Sequence, residues 1–262
     1  MKIIKEKSDH GVLRLIMNNL DQGNALSEGM MSILMDEIKG ASSDQSIKVI
    51  VLAANGNVFC SGHDLKEITT ARENEDSGEA YFKNLFDSCS SLMQLIVNIP
   101  QPVIAEVDGV ATAAGCQLVA SCDLAIASHE SKFATPGVNI GLFCSTPMVA
   151  LTRNVNKKNA MEMLLTGDFI NAEKAKEIGL INNTVEQEEL TFEVSKLAEK
   201  IASKSSMTVS TGKKAFYAQA EMDLSKAYKY TSKTMKDNLL KYDAKEGINA
   251  FIEKRSPDWK DE

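Results

Sequence analysis

The chain is poor in the residues that staple or metallate a fold: five of its 262 residues are cysteine and three are histidine. The cysteines, Cys60, Cys89, Cys116, Cys122 and Cys144, are odd in number, widely spaced and contain no Cys-x-x-Cys pair. Neither a disulfide framework nor a zinc cage is indicated, and a reducing compartment is the simplest reading. His10, His63 and His129 show no ligand spacing, so no metal is expected. Long apolar runs are missing too, none approaching the roughly 18 residues that cross a bilayer, so no membrane partner is expected. No apolar signal core or Arg/Ser-rich transit segment precedes the first strand-like run. That points to a cytoplasmic protein and leaves a mature organellar form open. The formal net charge of −7 comes with dispersed lysines, which argues against a nucleic-acid partner.

What is present is ordinary for a folded protein, 44% hydrophobic and 25% charged. Strands are expected near residues 2–7 and 11–17. A loop with Asn24-Ala25-Leu26 follows, then a helix capped by Ser27 that places Met31, Leu34, Met35 and Ile38 on one face. The run 47–53 reads as a buried strand. A polar, Glu-rich loop at 69–79 precedes a helix with Phe82, Leu85, Phe86, Cys89, Leu92, Met93 and Ile96 at helical spacing. Pro100 and Pro102 end it, and strands follow at 103–107 and 124–127. From about residue 144 the periodicity is helical apart from one strand at 181–185. The expectation is an α/β fold of repeated strand-strand-helix winds over residues 1–195, with a helical region over 196–262.

Two turns carry most of the chemical information. Phe59-Cys60-Ser61-Gly62-His63-Asp64-Leu65 and Ala111-Thr112-Ala113-Ala114-Gly115-Cys116-Gln117 each sit where an apolar strand hands over to a helix. Either alone reads equally well as a tight connection. Together they can aim free backbone N–H groups at one point, which is what holds a developing oxyanion.

Other segments join these turns: Gly115-Cys116 followed by Cys122-Asp123, Phe133 with Pro136, Leu165-Thr166-Gly167, Ala172-x-x-Ala175-x-x-x-Gly179-Leu180, and Glu246-Gly247-Ile248-x-Ala250-Phe251-x-x-Lys254-Arg255. With Asn24-Ala25-Leu26, they resemble the crotonase superfamily, also called the enoyl-CoA hydratase/isomerase family, across nearly the whole chain. The resemblance implies a crotonase spiral of ββα units with a C-terminal helical trimerisation region, assembled as a homotrimer or a dimer of trimers. It implies an acyl-CoA thioester as ligand, with coenzyme A entering as part of the substrate and no covalently bound cofactor. The thioester oxygen would sit between the N–H groups of His63 and Ala114. Groups around Ala25, Cys60, Ser61, His63, Asp64 and Leu65 would grip the coenzyme. Phe251 and Lys254 would approach it from the C-terminal helix, of the same or a neighbouring subunit.

The chain departs from the family pattern where it matters most. Typical hydratases carry two glutamates that activate water and deliver a proton, and at the matching positions stand Gln117 and Gly137. An amide exchanges no proton near neutrality and glycine has no side chain, so hydration is expected to be low or altered while enolate stabilisation is kept. Rival readings are an acyl-CoA decarboxylase, which in this family also has a Gly-His-Asp turn, or a thioesterase using Cys144 with His63 as base. A third is a non-catalytic acyl-CoA-binding or regulatory protein. The His63 imidazole titrates near neutrality and is itself an acid-base candidate. Ser145, ahead of Pro147, reads as a helix cap. Cys60 and Cys116 read as small apolar packing residues.

Overall fold

A computed structural model describes residues 2–262. Its strands are β1 (Ile3–Lys7), β2 (Val12–Met17), β3 (Val49–Ala54), β4 (Val58–Cys60), β5 (Val103–Val107), β6 (Val110–Thr112), β7 (Leu124–Ser128), β8 (Lys132–Ala134), β9 (Ile170–Asn171) and β10 (Asn183–Val185). The helices are α1 (Glu28–Ser43), α2 (Leu65–Ala71), α3 (Glu79–Asn98), α4 (Ala114–Ser121), α5 (Ser145–Asn154), α6 (Lys157–Thr166), α7 (Ala172–Glu177), α8 (Leu190–Ala202), α9 (Ser206–Ala220), α10 (Leu224–Leu239) and α11 (Tyr242–Glu253).

β1 and β2 pair antiparallel, and from β2 onward a parallel sheet runs β2-β3-β5-β7-β10. Parallel strands covered on both faces read as continuous apolar runs, and β3 shows why. Its Ile50 and Leu52 enter the main core with Leu34 of α1 and Leu92 of α3, while Val49 and Val51 face the opposite way. There they meet Ile104 of β5 and the stripe Leu190, Val194, Ala198 and Ala202 of α8, set at the spacing that keeps one helix face on a sheet. Each fully buried Leu, Ile or Val contributes about 1.5–3 kcal/mol.

A second, smaller sheet runs β4-β6-β8-β9, the first three strands parallel. The chain thus winds from a long strand to a short strand to a helix: β3-β4-α2, β5-β6-α4, then β7-β8 and, past the 3-10 segment Pro136–Ile140, α5. This is the expected ββα spiral. β4, β6, β8 and β9 lie outside the expected strands; at two or three residues they are too short to show alternation.

Residue 195 falls inside α8, which packs on the large sheet, so the helices that leave the sheet begin after Ala202. A buried junction fastens them to it. Lys213 Nζ of α9 donates to the carbonyls of Ile96 (2.8 Å) and Gln101 (2.9 Å) and to the Asp123 carboxylate (2.7 Å), which also accepts from Tyr217 Oη (2.9 Å). After α11 the chain folds back on itself. Arg255 makes a two-pronged contact with Glu246 (2.6 and 2.9 Å), and buried Asp243 accepts from the N–H groups of Lys260 and Asp261. Among the described residues, no helix is long and apolar enough to cross a membrane.

Candidate active site

The two small-residue turns meet. β4 ends at Cys60, and Asp64 then caps α2, its Oδ1 accepting from Lys66 N (2.8 Å) and its Oδ2 from Gln22 Nε2 (2.9 Å). Between them Gly62 adopts φ +96°, and a Cβ there would stand 3.0 Å from Ala113 Cβ and 3.4 Å from Ala114 N. Gly115 is required by contact from the other side, since a Cβ would fall 2.1 Å from the Cys60 carbonyl oxygen. The Thr112 hydroxyl bridges the turns by donating to the Ser61 carbonyl (3.0 Å).

Ala113 holds φ +51° and ψ −117°, a conformation non-glycine residues rarely adopt and that costs about 1–3 kcal/mol. Its N–H is pinned to the Ala134 carbonyl at 2.9 Å. This kink starts α4 directly beside the Gly62 turn. Among the described residues, the N–H groups of His63 and Ala114 donate to no protein acceptor.

His63 has a defined orientation. Its Nδ1 lies 3.2 Å from the Leu26 carbonyl oxygen, and Leu26 N in turn donates to the Gly62 carbonyl at 2.7 Å. Facing an oxygen that only accepts, Nδ1 carries the proton and Nε2 is left as a lone pair. That Nε2 is buried and has no hydrogen-bond partner. The ring stands edge-on to Phe86 of α3 at 5.7 Å. Burial holds the imidazole below its ordinary value of 6.5, opposed by the Leu26 carbonyl and the Glu67 charge.

Gln117, one turn into α4, is buried, and its Oε1 lies 3.8 Å from Cys89 Sγ of α3. Gly137 lies in the 3-10 segment after β8. A Cβ at this position would meet the Leu142 carbonyl oxygen at 2.6 Å and Cys144 Sγ at 2.8 Å. Position 137 therefore has no side chain and no room for one. The Cys144 thiol is pushed up by burial, the Gly137 N–H opposing the shift, and makes no hydrogen bond to His63 among the described residues. Ser145 does not cap α5. The cap position belongs to Cys144, whose side chain makes no cap bond, and Ser145 is the first helical residue with its Oγ donating to Phe143 O at 3.3 Å. Cys60 and Cys116 are fully buried, their thiols pushed up to about 12 by desolvation.

Ala25 is buried beside the His63 turn, and Ser61 and Leu65 are exposed around it. Phe251 and Lys254 are exposed on and just after α11, and no hydrogen bond or ion pair joins them to these turns in the described residues. Thr112 as the clasp between turns, and Phe86 and Cys89 as neighbours of His63 and Gln117, escaped the sequence reading. Helical spacing marked the latter two only as core. Among the described residues, no three His, Cys, Asp or Glu side chains stand together as a metal cluster would.

The enoyl-CoA hydratase/isomerase family description matches residues 7–262. The chain belongs to the enoyl-CoA hydratase/isomerase family. It is 49% identical over 253 residues to the enoyl-CoA hydratase domain-containing protein 3, mitochondrial, of Xenopus laevis, covering 97% of this chain and 84% of that one. The human protein of the same name is 50% identical over 252 residues, with 96% and 82% covered. The crystal structure of human enoyl-CoA hydratase domain-containing protein 3 superposes with a TM-score of 0.94 at 48% identity, covering 99% of this chain and 100% of that one. These likenesses place the spiral within the crotonase fold.

Proposed function

We propose that this enoyl-CoA hydratase/isomerase family member binds an acyl-CoA thioester and stabilises its enolate between the N–H groups of His63 and Ala114, with hydration low or altered. The contact of Gly62 with Ala113 and Ala114 carries this reading. It brings two unpartnered backbone donors onto adjoining turns, and such preorganised donors are worth about 2.7–4 kcal/mol each at a developing oxyanion. The dipole of α4 adds to the second donor.

Weak hydration follows from the residues at positions 117 and 137. Gln117 and Gly137 neither give nor take a proton, and general acid-base help is worth about 10²- to 10⁴-fold per group. Ala25, Cys60, Ser61, Asp64 and Leu65 would hold the coenzyme through backbone groups, because the Asp64 carboxylate is spent on the α2 cap and on Gln22. Phe251 and Lys254 would reach a coenzyme from a neighbouring copy. Exposed Tyr228, Met235, Leu239, Leu240, Ile248 and Ile252, on and between the last two helices, favour a trimer or a dimer of trimers. The vertebrate relatives bear mitochondrial names, so an organellar setting joins the cytoplasmic one for this chain.

The test pairs calorimetry of butyryl-CoA and crotonyl-CoA binding with a crotonyl-CoA hydration assay. Binding with turnover far below that of a glutamate-bearing family member is expected. Absence of binding would overturn the reading, and hydration at the ordinary family rate would overturn its second half.

A further inference from the structure

The site has lost both proton-transfer carboxylates, yet one group in it remains able to move a proton near neutrality. The hydrogen-bond pattern singles out His63. Asp64 has both carboxylate oxygens hydrogen-bonded, and Glu67 Oε2 accepts from both Tyr81 Oη and Glu28 N, each at 3.1 Å. The thiols of Cys60, Cys89 and Cys116 are pushed up to about 12 and that of Cys144 is also raised. Gln117 and Gly137 do not titrate. The His63 ring is set up as a base: the Leu26 carbonyl fixes the Nδ1–H tautomer, so the lone pair falls on Nε2, which has no hydrogen-bond partner among the described residues. An unpaired buried polar atom in a candidate site calls for an explanation, a catalytic role among them. Phe86, which stands edge-on to the ring, is 40% exposed on α3.

Resting on the acyl-CoA reading above, we infer that His63 is a catalytic residue twice over, its backbone N–H holding the thioester oxygen and its Nε2 exchanging the proton on the acyl C2. In the forward step the C2–H bond breaks and an N–H bond forms at Nε2. The electron pair passes into a C1–C2 double bond, and the thioester oxygen becomes the enolate oxyanion held by the N–H groups of His63 and Ala114. The resulting imidazolium keeps its Nδ1–H on Leu26 and returns a proton to C2 in the reverse step. No oxidant, reductant or co-reactant is needed. Depression of the imidazole keeps it in the free-base form at neutral pH, ready for the forward step. The activity so described is hydrogen exchange and isomerisation next to a thioester, which needs one base rather than two carboxylates.

The experiment incubates butyryl-CoA with the full-length protein in D2O and follows deuterium at C2 by NMR or mass spectrometry. His63→Asn is the matched variant, because its amide can still donate to the Leu26 carbonyl and its backbone N–H is retained, while Nε2 is gone. The wild type is expected to exchange C2 hydrogen, and His63→Asn, compared at saturating butyryl-CoA, to do so about 100-fold more slowly or worse. His63→Gln, compared at matched thermal stability, checks that the loss does not come from a loosened fold. Tight binding without exchange in the wild type, or equal exchange in the variants, overturns the role of Nε2 and leaves the binding reading standing. If butyryl-CoA does not bind at all, the acyl-CoA reading fails and this inference falls with it.

Discussion

Cys144 and Gly137 compete for one volume: the Cys144 Sγ lies 2.8 Å from the point where a Cβ on Gly137 would stand. Position 137 is therefore closed to a side chain by the neighbouring loop as well as by the residue that stands there. The Leu142 carbonyl, 2.6 Å from the same point, closes it from the backbone side.

Gly137→Ala is expected to destabilise the protein by about 1–3 kcal/mol through overpacking, measured by urea denaturation. Cys144→Ala in the same chain should recover part of that loss and not all of it, since Leu142 O stays in place. Strict additivity of the two substitutions would show that they do not share the space.

Gln117→Glu puts a carboxylate one turn into α4, at a position 4% exposed. Two opposite effects are expected: a rise in crotonyl-CoA hydration above the wild-type baseline, and a lower Tm because a buried carboxylate is costly to charge. Adding Gly137→Glu should gain nothing further while Cys144 stays, which parallel hydration assays would check.

Asp64→Ala removes the cap of α2 and the tie to Gln22 at once. A loss of about 1–2 kcal/mol is expected from the cap alone. Because the cap adjoins His63, hydrogen exchange of the 61–64 amides should speed up more than that of β3, which mass spectrometry can read.

The fold-back after α11 should respond to acid with a definite sign. The Arg255 guanidinium and the Asp258 N–H hold the Glu246 carboxyl down to about 2, against an ordinary 4.5. A depressed carboxylate stabilises fully above its unfolded value, and that contribution fades as pH falls from about 4.5 toward 2. Glu246→Gln should have a lower Tm than the wild type at about pH 7 and a flatter Tm profile through the acid range. Parallel profiles would show that the contact carries no stability.

Much of this was legible in the chain. The apolar run of β3, the Ser27 cap of α1 (Oγ to Met30 N, 3.2 Å) and the two turns all stand where expected, because each rests on local chemistry: an uninterrupted hydrophobic stretch, a hydroxyl before a helix, glycines at tight approaches. Local chemistry also misled at Ser145, where the hydroxyl before Pro147 had the right composition and the helix simply began one residue earlier. What stayed hidden depends on distant segments meeting. The small strands β4, β6, β8 and β9 exist only as a set. The placement of Phe86 against His63 and of Cys89 against Gln117 needs the fold of α3, and that Cys144 fills the space at Gly137 follows from a loop path no periodicity encodes.

Lys213→Ala leaves the Asp123 carboxylate half-buried with Tyr217 and Val103 N but no cation, a loss of about 3–5 kcal/mol for a broken buried pair. Replacing both partners, Lys213→Met with Asp123→Asn, should lose less, and urea denaturation of the three variants decides it.

That single ammonium also sets how the molecule can be cut. It belongs to the late helices, yet its acceptors are the exit of α3, the entrance to β5 and the turn before β7. A spiral excised at Ala202 would keep its whole double-faced sheet and still carry an open socket where α9 had plugged in, so the spiral is no freestanding module.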